Sequence, residues 1–224
     1  MSIASQIELI KNELPSTVKL VAVSKFKPVE AVMEAYAAGQ RVFGENRPQE
    51  LSMKALETPS DIEWHFIGHL QSNKIKMVVP YAAMIESIHS RKLLTAVNDF
   101  AESMGKVMDC LLEVHIASDE QTKQGFLPED AVALAKDFEK FPYIRFRGVM
   151  GMASFSDDTA LVRSEFAALK GVFDAIREYG VKGGRFWTVA FNEISMGMSQ
   201  DYRIAIEEGA TIVRIGTTIF GARQ

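Results

Sequence analysis

Short apolar runs alternate with helix-periodic segments along the whole chain. An opening segment places Ile3, Ile7, Ile10 and Leu14 on one face, the spacing of an amphipathic helix. Lys19 to Ser24 follows as a short apolar strand. Pro28 then opens a helix carrying Val29, Val32, Met33 and Tyr36, and Gly39 closes it. Proline at the start and glycine past the end is the asymmetry that helix termini favour. Further strands are predicted at Arg41–Gly44, Trp64–Gly68, Met84–His89, Val107–Ile116, Ile144–Met152, Glu193–Met196 and Ile212–Gly216, which with the first makes eight. The clearest helix between them carries Val162, Phe166, Leu169, Phe173 and Ile176.

Repeated strand-then-helix units imply a parallel sheet with right-handed crossovers. The prolines are scattered and no Ser/Gly tract divides the chain, so residues 1–224 read as one domain. Eight units in 224 residues favour a single-domain (β/α)8 TIM barrel, near the small end of its size range. The rival is a doubly wound open sheet. Its Gly-rich fingerprint belongs after the first strand, where Ser24-Lys25-Phe26-Lys27-Pro28 has no glycine.

A barrel carries its chemistry at the carboxyl ends of its strands, and phosphates favour the loops after strands seven and eight. Those loops read Ser195-Met196-Gly197-Met198-Ser199 and Gly216-Thr217-Thr218. Glycine admits a backbone N–H close to an anion and Ser or Thr adds a hydroxyl. A helix read from Gln200 would put its positive dipole end at Ser199. The same residues serve equally as an ordinary helix cap and turn.

Strand alternation puts Ile212, Arg214 and Gly216 on one face, with Val213 and Ile215 on the other. The fully apolar set belongs against the helices, so Arg214 points into the barrel mouth. There it meets either a ligand or a barrel carboxylate such as Glu45, Glu86 or Glu113. Lys25 shares a face with Val21 and Val23 and can also enter the mouth, where a desolvated lysine becomes a nucleophile for aldehydes. Composition alone leaves it equally a solvated side chain. His65 and His69, and Glu113 with His115 on one strand, are weaker candidates for a metal, and no third ligand with fitting spacing accompanies them. No metal is expected.

A net charge of −4, with no run of Lys and Arg, gives no general attraction to nucleic acid or anionic membrane. The longest stretch free of charged residues, Trp64 to Asn73, is too short to span a bilayer. Met1-Ser2-Ile3-Ala4-Ser5-Gln6 shows no signal peptide. Cys110, the single cysteine, sits in an apolar run, which favours a buried thiol and a cytoplasmic setting.

Five blocks of residues are more specific than these features. Val21-Ala22-Val23-Ser24-Lys25, Phe43-Gly44-Glu45-Asn46, His65-Phe66-Ile67-Gly68-His69-Leu70-Gln71-Ser72-Asn73-Lys74, Ser195-Met196-Gly197-Met198-Ser199 and Arg214-Ile215-Gly216-Thr217 resemble the pyridoxal 5′-phosphate homeostasis protein family, also called the proline-synthetase co-transcribed family. The blocks run in order over essentially the whole chain. The resemblance implies an alanine-racemase-like barrel holding pyridoxal phosphate, with Lys25 carrying the cofactor as a Schiff base. It further implies that Arg214 meets the pyridine nitrogen and that Ser199, Gly216 and Thr217, with backbone of Gly197 and Met198, hold the phosphate. Asn46 and His65 would lie at the same mouth. Two positions depart from the family pattern: His89 stands where Asp is common, and Val149 where Leu is common.

The expected function is to buffer or deliver pyridoxal phosphate without catalysis, with PLP-dependent apoenzymes as recipients and a monomeric protein. A racemase on the same barrel is the alternative; it needs a second domain and an opposing tyrosine, and the sequence stops at Gln224, soon after strand eight. A Schiff-base aldolase using Lys25 without cofactor is the third class.

Overall fold

β1 (Lys19–Val23) pairs in parallel with both β2 (Val42–Glu45) and β8 (Ile212–Ile215), which closes the sheet. β3 (Glu63–Phe66), β4 (Ala82–Ile88), β5 (Met108–Glu113), β6 (Ile144–Met150) and β7 (Glu193–Ser195) complete it in chain order, so all eight predicted strands are present. This is a computed structural model, and it describes residues 2–118 and 124–221. Arg223 and Gln224 lie outside the described residues.

Three of the helices that cover the barrel, α1, α2 and α6, form where the apolar spacing predicts them. α1 (Ile3–Glu13) is capped by Ser2, whose hydroxyl accepts from the Ser5 N–H, and buries Ile7 and Ile10. α2 (Val29–Ala37) starts after Pro28 and buries Val32 and Ala35. α3 (Pro48–Glu57), α4 (Arg91–Ser103) and α5 (Pro128–Leu134) follow β2, β4 and β5. α6 (Thr159–Lys182) buries Val162, Phe166, Leu169, Phe173 and Ile176, the stripe read from the sequence. α7 (Tyr202–Glu207) and α8 (Thr217–Phe220) are short.

Strand alternation divides the apolar residues into two clusters. Val21, Met84, Leu111, Met150 and Ile212 fill the barrel axis, with Val42 packed against them. Ala22, Phe43, Trp64, Phe66, Ile85, Cys110, Leu112, Val149, Val213 and Ile215 face the helices. Ile212 is therefore inside and Val213 outside, as the alternation predicts, and Arg214 points along the axis.

β5 ends short of the predicted Ile116, and its pairing with β6 is irregular. β5 ends at Glu113, because Phe126 then takes over: its N–H donates to the Glu113 carbonyl and its carbonyl accepts the His115 N–H. His115 is thus outside the strand. In β6 the register against β5 shifts between Cys110 and Leu111, leaving one extra residue on the β6 side. Gly148 absorbs that bulge with φ +154, and a Cβ there would lie 1.7 Å from the Glu193 carbonyl oxygen. Gly148→Ala should therefore destabilise the protein by about 3 kcal/mol, read as a lower urea midpoint at unchanged slope.

Candidate active site

The side chains singled out in the sequence gather on a contiguous arc, from β7 and β8 through β1, β2 and β3. Val21 of β1 is in register with Arg214 of β8. One step further, a Cβ on Gly216 would lie 3.1 Å from the Val23 carbonyl oxygen. Half-buried Lys25 follows in a turn closed by the Lys27 N–H donating to the Ser24 carbonyl at 3.0 Å. Lys25 and the Gly216-Thr217 loop thus leave neighbouring strand ends.

Arg214 is only 4% exposed. A guanidinium sealed inside a barrel needs partners, and the axial residues supply them. Its Nη1 donates to Ser195 Oγ at 2.6 Å and its Nη2 to the Gly151 carbonyl at 3.0 Å. Ser195 Oγ donates in turn to Glu86 Oε2 at 2.5 Å, and Arg214 Nη1 lies 3.8 Å from the same oxygen. The other carboxylate oxygen, Oε1, meets His65 Nδ1 at 2.5 Å. A fully buried chain His65–Glu86–Ser195–Arg214 therefore crosses the barrel from β3 to β8.

Of the three carboxylates suggested for Arg214, the structure selects Glu86 as the ion-pair partner. Glu45 faces the other way: Val42 and Gly44 take the inward positions of β2, so Glu45 points at α3 and pairs with Lys54. Glu113 faces inward but is bonded by Gln124 Nε2 at 3.2 Å.

Burial pushes Glu86 up. The hydrogen bond and charge of His65, the charge of Arg214 and the Ser195 hydroxyl more than offset it, leaving the carboxyl below its ordinary value. Burial dominates at Glu113, which titrates above its ordinary value despite Gln124, Arg214 and His69. Arg214 is itself lowered by burial and raised by Glu86, Asp201 and Glu113.

The loop after β7 departs from expectation. Its helix begins at Tyr202, so Ser199 does not sit at a helix start. Ser199 Oγ instead accepts the Thr218 N–H at 3.4 Å, tying this loop to the one after β8. Asp201, overlooked in the sequence, accepts the Met198 N–H at 2.6 Å. Met198 thus has an internal acceptor in place of an anion. Gly197 turns the chain at φ +91, where a Cβ would lie 2.6 Å from that of Ala205.

Asn46 follows β2 beside this arc, and its Oδ1 is buried without a hydrogen-bond partner among the described residues. His69 stacks on His89, ring centroids 4.5 Å apart, and His89 Nδ1 lies 3.3 Å from the Ser87 carbonyl. The histidine that departs from the family pattern is thereby built into the mouth. His65 faces Glu86 and His69 faces His89, so the two do not converge on a common ligand position. The Ser195–Glu86 link was missed in sequence; its signal was a glutamate inside the apolar run Met84-Ile85-Glu86-Ser87-Ile88.

Glu86→Ala should cost about 3–5 kcal/mol in urea unfolding, because it strands a buried guanidinium. The folded carboxyl titrates below its unfolded value, so its stabilisation is complete above the ordinary carboxylate range and is lost as pH falls through the folded pKa. Glu86→Gln should therefore flatten the acid limb of the stability–pH curve, measured by urea midpoints between neutral and acid pH.

Residues 1–224 match the family described as alanine racemase, N-terminal domain. The chain is 37% identical over 212 residues to the pyridoxal phosphate homeostasis protein of Pasteurella multocida, covering 93% of this chain and 88% of that protein. Among solved structures, PipY of Synechococcus elongatus with PLP bound is similar at 33% identity and a TM-score of 0.87, over 98% of this chain and 100% of that one. The alanine racemase of E. faecalis shares the fold alone, at 15% identity and a TM-score of 0.77 over 99% of this chain and 58% of that one. At 37% identity over 93% of its length to a member, the chain belongs to the pyridoxal phosphate homeostasis protein family.

Proposed function

We propose that this protein, as one barrel over residues 1–224, binds pyridoxal phosphate on Lys25 and buffers or delivers it without turning over a substrate. The observation that carries the reading is that the turn holding half-buried Lys25 leaves the end of β1 next to β8, which carries inward-facing Arg214 and then the Gly216-Thr217 loop. PipY, similar over nearly the whole chain, was solved with PLP bound.

The residues present fit such a group. Arg214 brings a buried cation, Ser199 and Thr217 bring hydroxyls, and Asn46 Oδ1 is a buried acceptor awaiting a donor. When bound, pyridoxal phosphate supplies an aldehyde to a lysine amine, a phosphate dianion and a ring nitrogen. Lys25 would hold the aldehyde carbon. Ser199, Gly197, Gly216 and Thr217 would hold the phosphate, joined by Met198 once Asp201 yields its N–H. Arg214 can only donate, so it would keep the ring nitrogen an acceptor without a proton. The chain His65–Glu86–Ser195 fixes Arg214 in that pose.

A non-catalytic role is supported by the place of two tyrosines that could otherwise serve as a racemase's opposing base. Conversion of an amino acid requires proton donors and acceptors within reach of the reacting carbon. The Tyr36 hydroxyl is bound to Asp61 at 2.9 Å and that of Tyr202 to Glu13 at 2.6 Å, so both are committed to surface pairs between helices and loops. We further propose a cytoplasmic monomer that hands cofactor to PLP-dependent apoenzymes through the barrel mouth. Burial holds the Cys110 thiol well above its ordinary pKa, so it is an inert core group. Among the described residues no helix is long and apolar enough to cross a membrane.

Borohydride treatment of the loaded protein should leave a reduced adduct on Lys25, found by peptide mass spectrometry and lost in Lys25→Ala. An adduct on Lys27 or Lys74 instead would refute the assignment. Ser199→Ala or Thr217→Val should weaken pyridoxal phosphate binding by about tenfold to a hundredfold, the usual loss of a donor to a charged group. Pyridoxal without phosphate should change much less. Amino-acid turnover at about 1 per second or faster, lost in Lys25→Ala, would establish an enzyme instead.

A further inference from the structure

A lysine lies buried directly beneath the turn that carries Lys25. Lys54 is on the inner face of α3, 1% exposed, beside buried Leu51. Its ammonium donates to the Ser24 carbonyl at 2.9 Å and to Glu45 Oε1 at 2.5 Å. The Ser24 hydroxyl donates to the same Glu45 oxygen at 2.7 Å. A second carboxylate oxygen, Glu50 Oε2, lies 3.5 Å from Lys54 and accepts the Phe26 N–H at 2.8 Å. One ammonium therefore reaches the residue before Lys25 directly and the residue after it through a single carboxylate.

That turn is strained. Phe26 has φ +63, the only positive value outside glycine among the described residues. It occupies the third position of the turn closed from Lys27 to Ser24, where glycine is favoured because a side chain crowds the left-handed backbone. Arg47 covers the Phe26 ring at 4.3 Å and lies 3.5 Å from Glu50 Oε1, so the strained residue is gripped at both its amide and its ring. A strained backbone persists only where its surroundings overdetermine it. An apolar side chain would fill the space under α3 without the cost of burying a charge. The ammonium gains its place by what it grips.

We propose that Lys54 and Glu50 are positioning residues for Lys25: they lock the Ser24–Lys27 turn, with Phe26 left-handed, so that the Lys25 amine is presented to the barrel mouth. This rests on the reading of Lys25 as the cofactor-bearing lysine.

The test is the rate at which pyridoxal phosphate becomes trapped on Lys25, followed by borohydride quenching and peptide mass spectrometry, beside urea unfolding of each variant. Glu50→Ala removes the acceptor for the Phe26 N–H and should slow trapping about tenfold. Glu50→Gln keeps an acceptor oxygen and should recover most of the rate. Adding Phe26→Gly to Glu50→Ala should restore it to within about twofold, because glycine adopts positive φ without a clamp. Lys54→Met should slow trapping in the same way; should it fail to fold, the Glu50 variants, which leave the Lys54–Glu45 pair intact, decide the matter. Wild-type trapping rates in folded Glu50→Ala, or a loss that Phe26→Gly does not restore, would overturn the positioning role. Lys25→Ala is run in parallel: undiminished trapping in it defeats the Lys25 reading itself, whereas its loss beside an unaffected Glu50→Ala defeats the positioning role alone.

Discussion

A guanidinium inside a closed barrel must be compensated from within, and that requirement organises this molecule. Arg214 enters the axis because β8 alternates and because Val213 and Ile215 are needed against the helices. Once there, it is out of reach of bulk water. Ser195 from β7, Glu86 from β4, the Gly151 carbonyl after β6 and His65 from β3 converge on it or on one another. A parallel barrel otherwise contacts only neighbouring strands through its ladder. Here Glu86 and Ser195 are bonded across the barrel, so the polar layer couples strands that the backbone does not.

Below that layer the axis is apolar, with Val21, Met84, Leu111, Met150 and Ile212 interlocked. Above it lie the loops. Those loops are tied by charged groups reaching up from the helices. Glu165 of α6 accepts from the backbone and hydroxyl of both Ser118 and Ser154, joining the loops after β5 and β6. Lys54 of α3 does the same under the turn after β1. The mouth is thus fixed from two sides, by an axial network and by helix-borne charges, and its geometry does not depend on loop packing alone.

Much of this was legible in the sequence wherever a simple period decides the outcome. All eight strands and the inward direction of Arg214 follow from alternation, whereas Lys25 lies in the turn beyond β1, where the strand period no longer applies. Alternation carried through β2 also removes Glu45 from the choice of carboxylates, since it shares the outward face of Phe43, but it leaves Glu86 and Glu113 both facing in. What period cannot supply is a contact between distant strands. Nothing near Ser195 indicates Glu86, because their meeting depends on barrel closure. Local signals also misled. Ser199 before Gln200 looks like a cap, yet Asp201 takes the capping position and turns its carboxylate back onto Met198. Lys54 reads as an ordinary surface residue of α3 until the strand end above it is in place.

The carboxylates around Arg214 show which physical effect governs the mouth. Glu86, Glu113 and Asp201 all feel the same cation, yet only Glu86 is held below its ordinary pKa. At Glu113 and Asp201 burial wins, although Gln124 and the Met198 amide offer each a hydrogen bond. Glu86 is the most deeply buried of the three and should by desolvation be the most reluctant to ionise. The difference is its donors: His65 on one oxygen, Ser195 on the other, both at 2.5 Å. At Glu86 the hydrogen bond and charge of His65 come first, then the charge of Arg214 and the Ser195 hydroxyl, and together they outweigh burial.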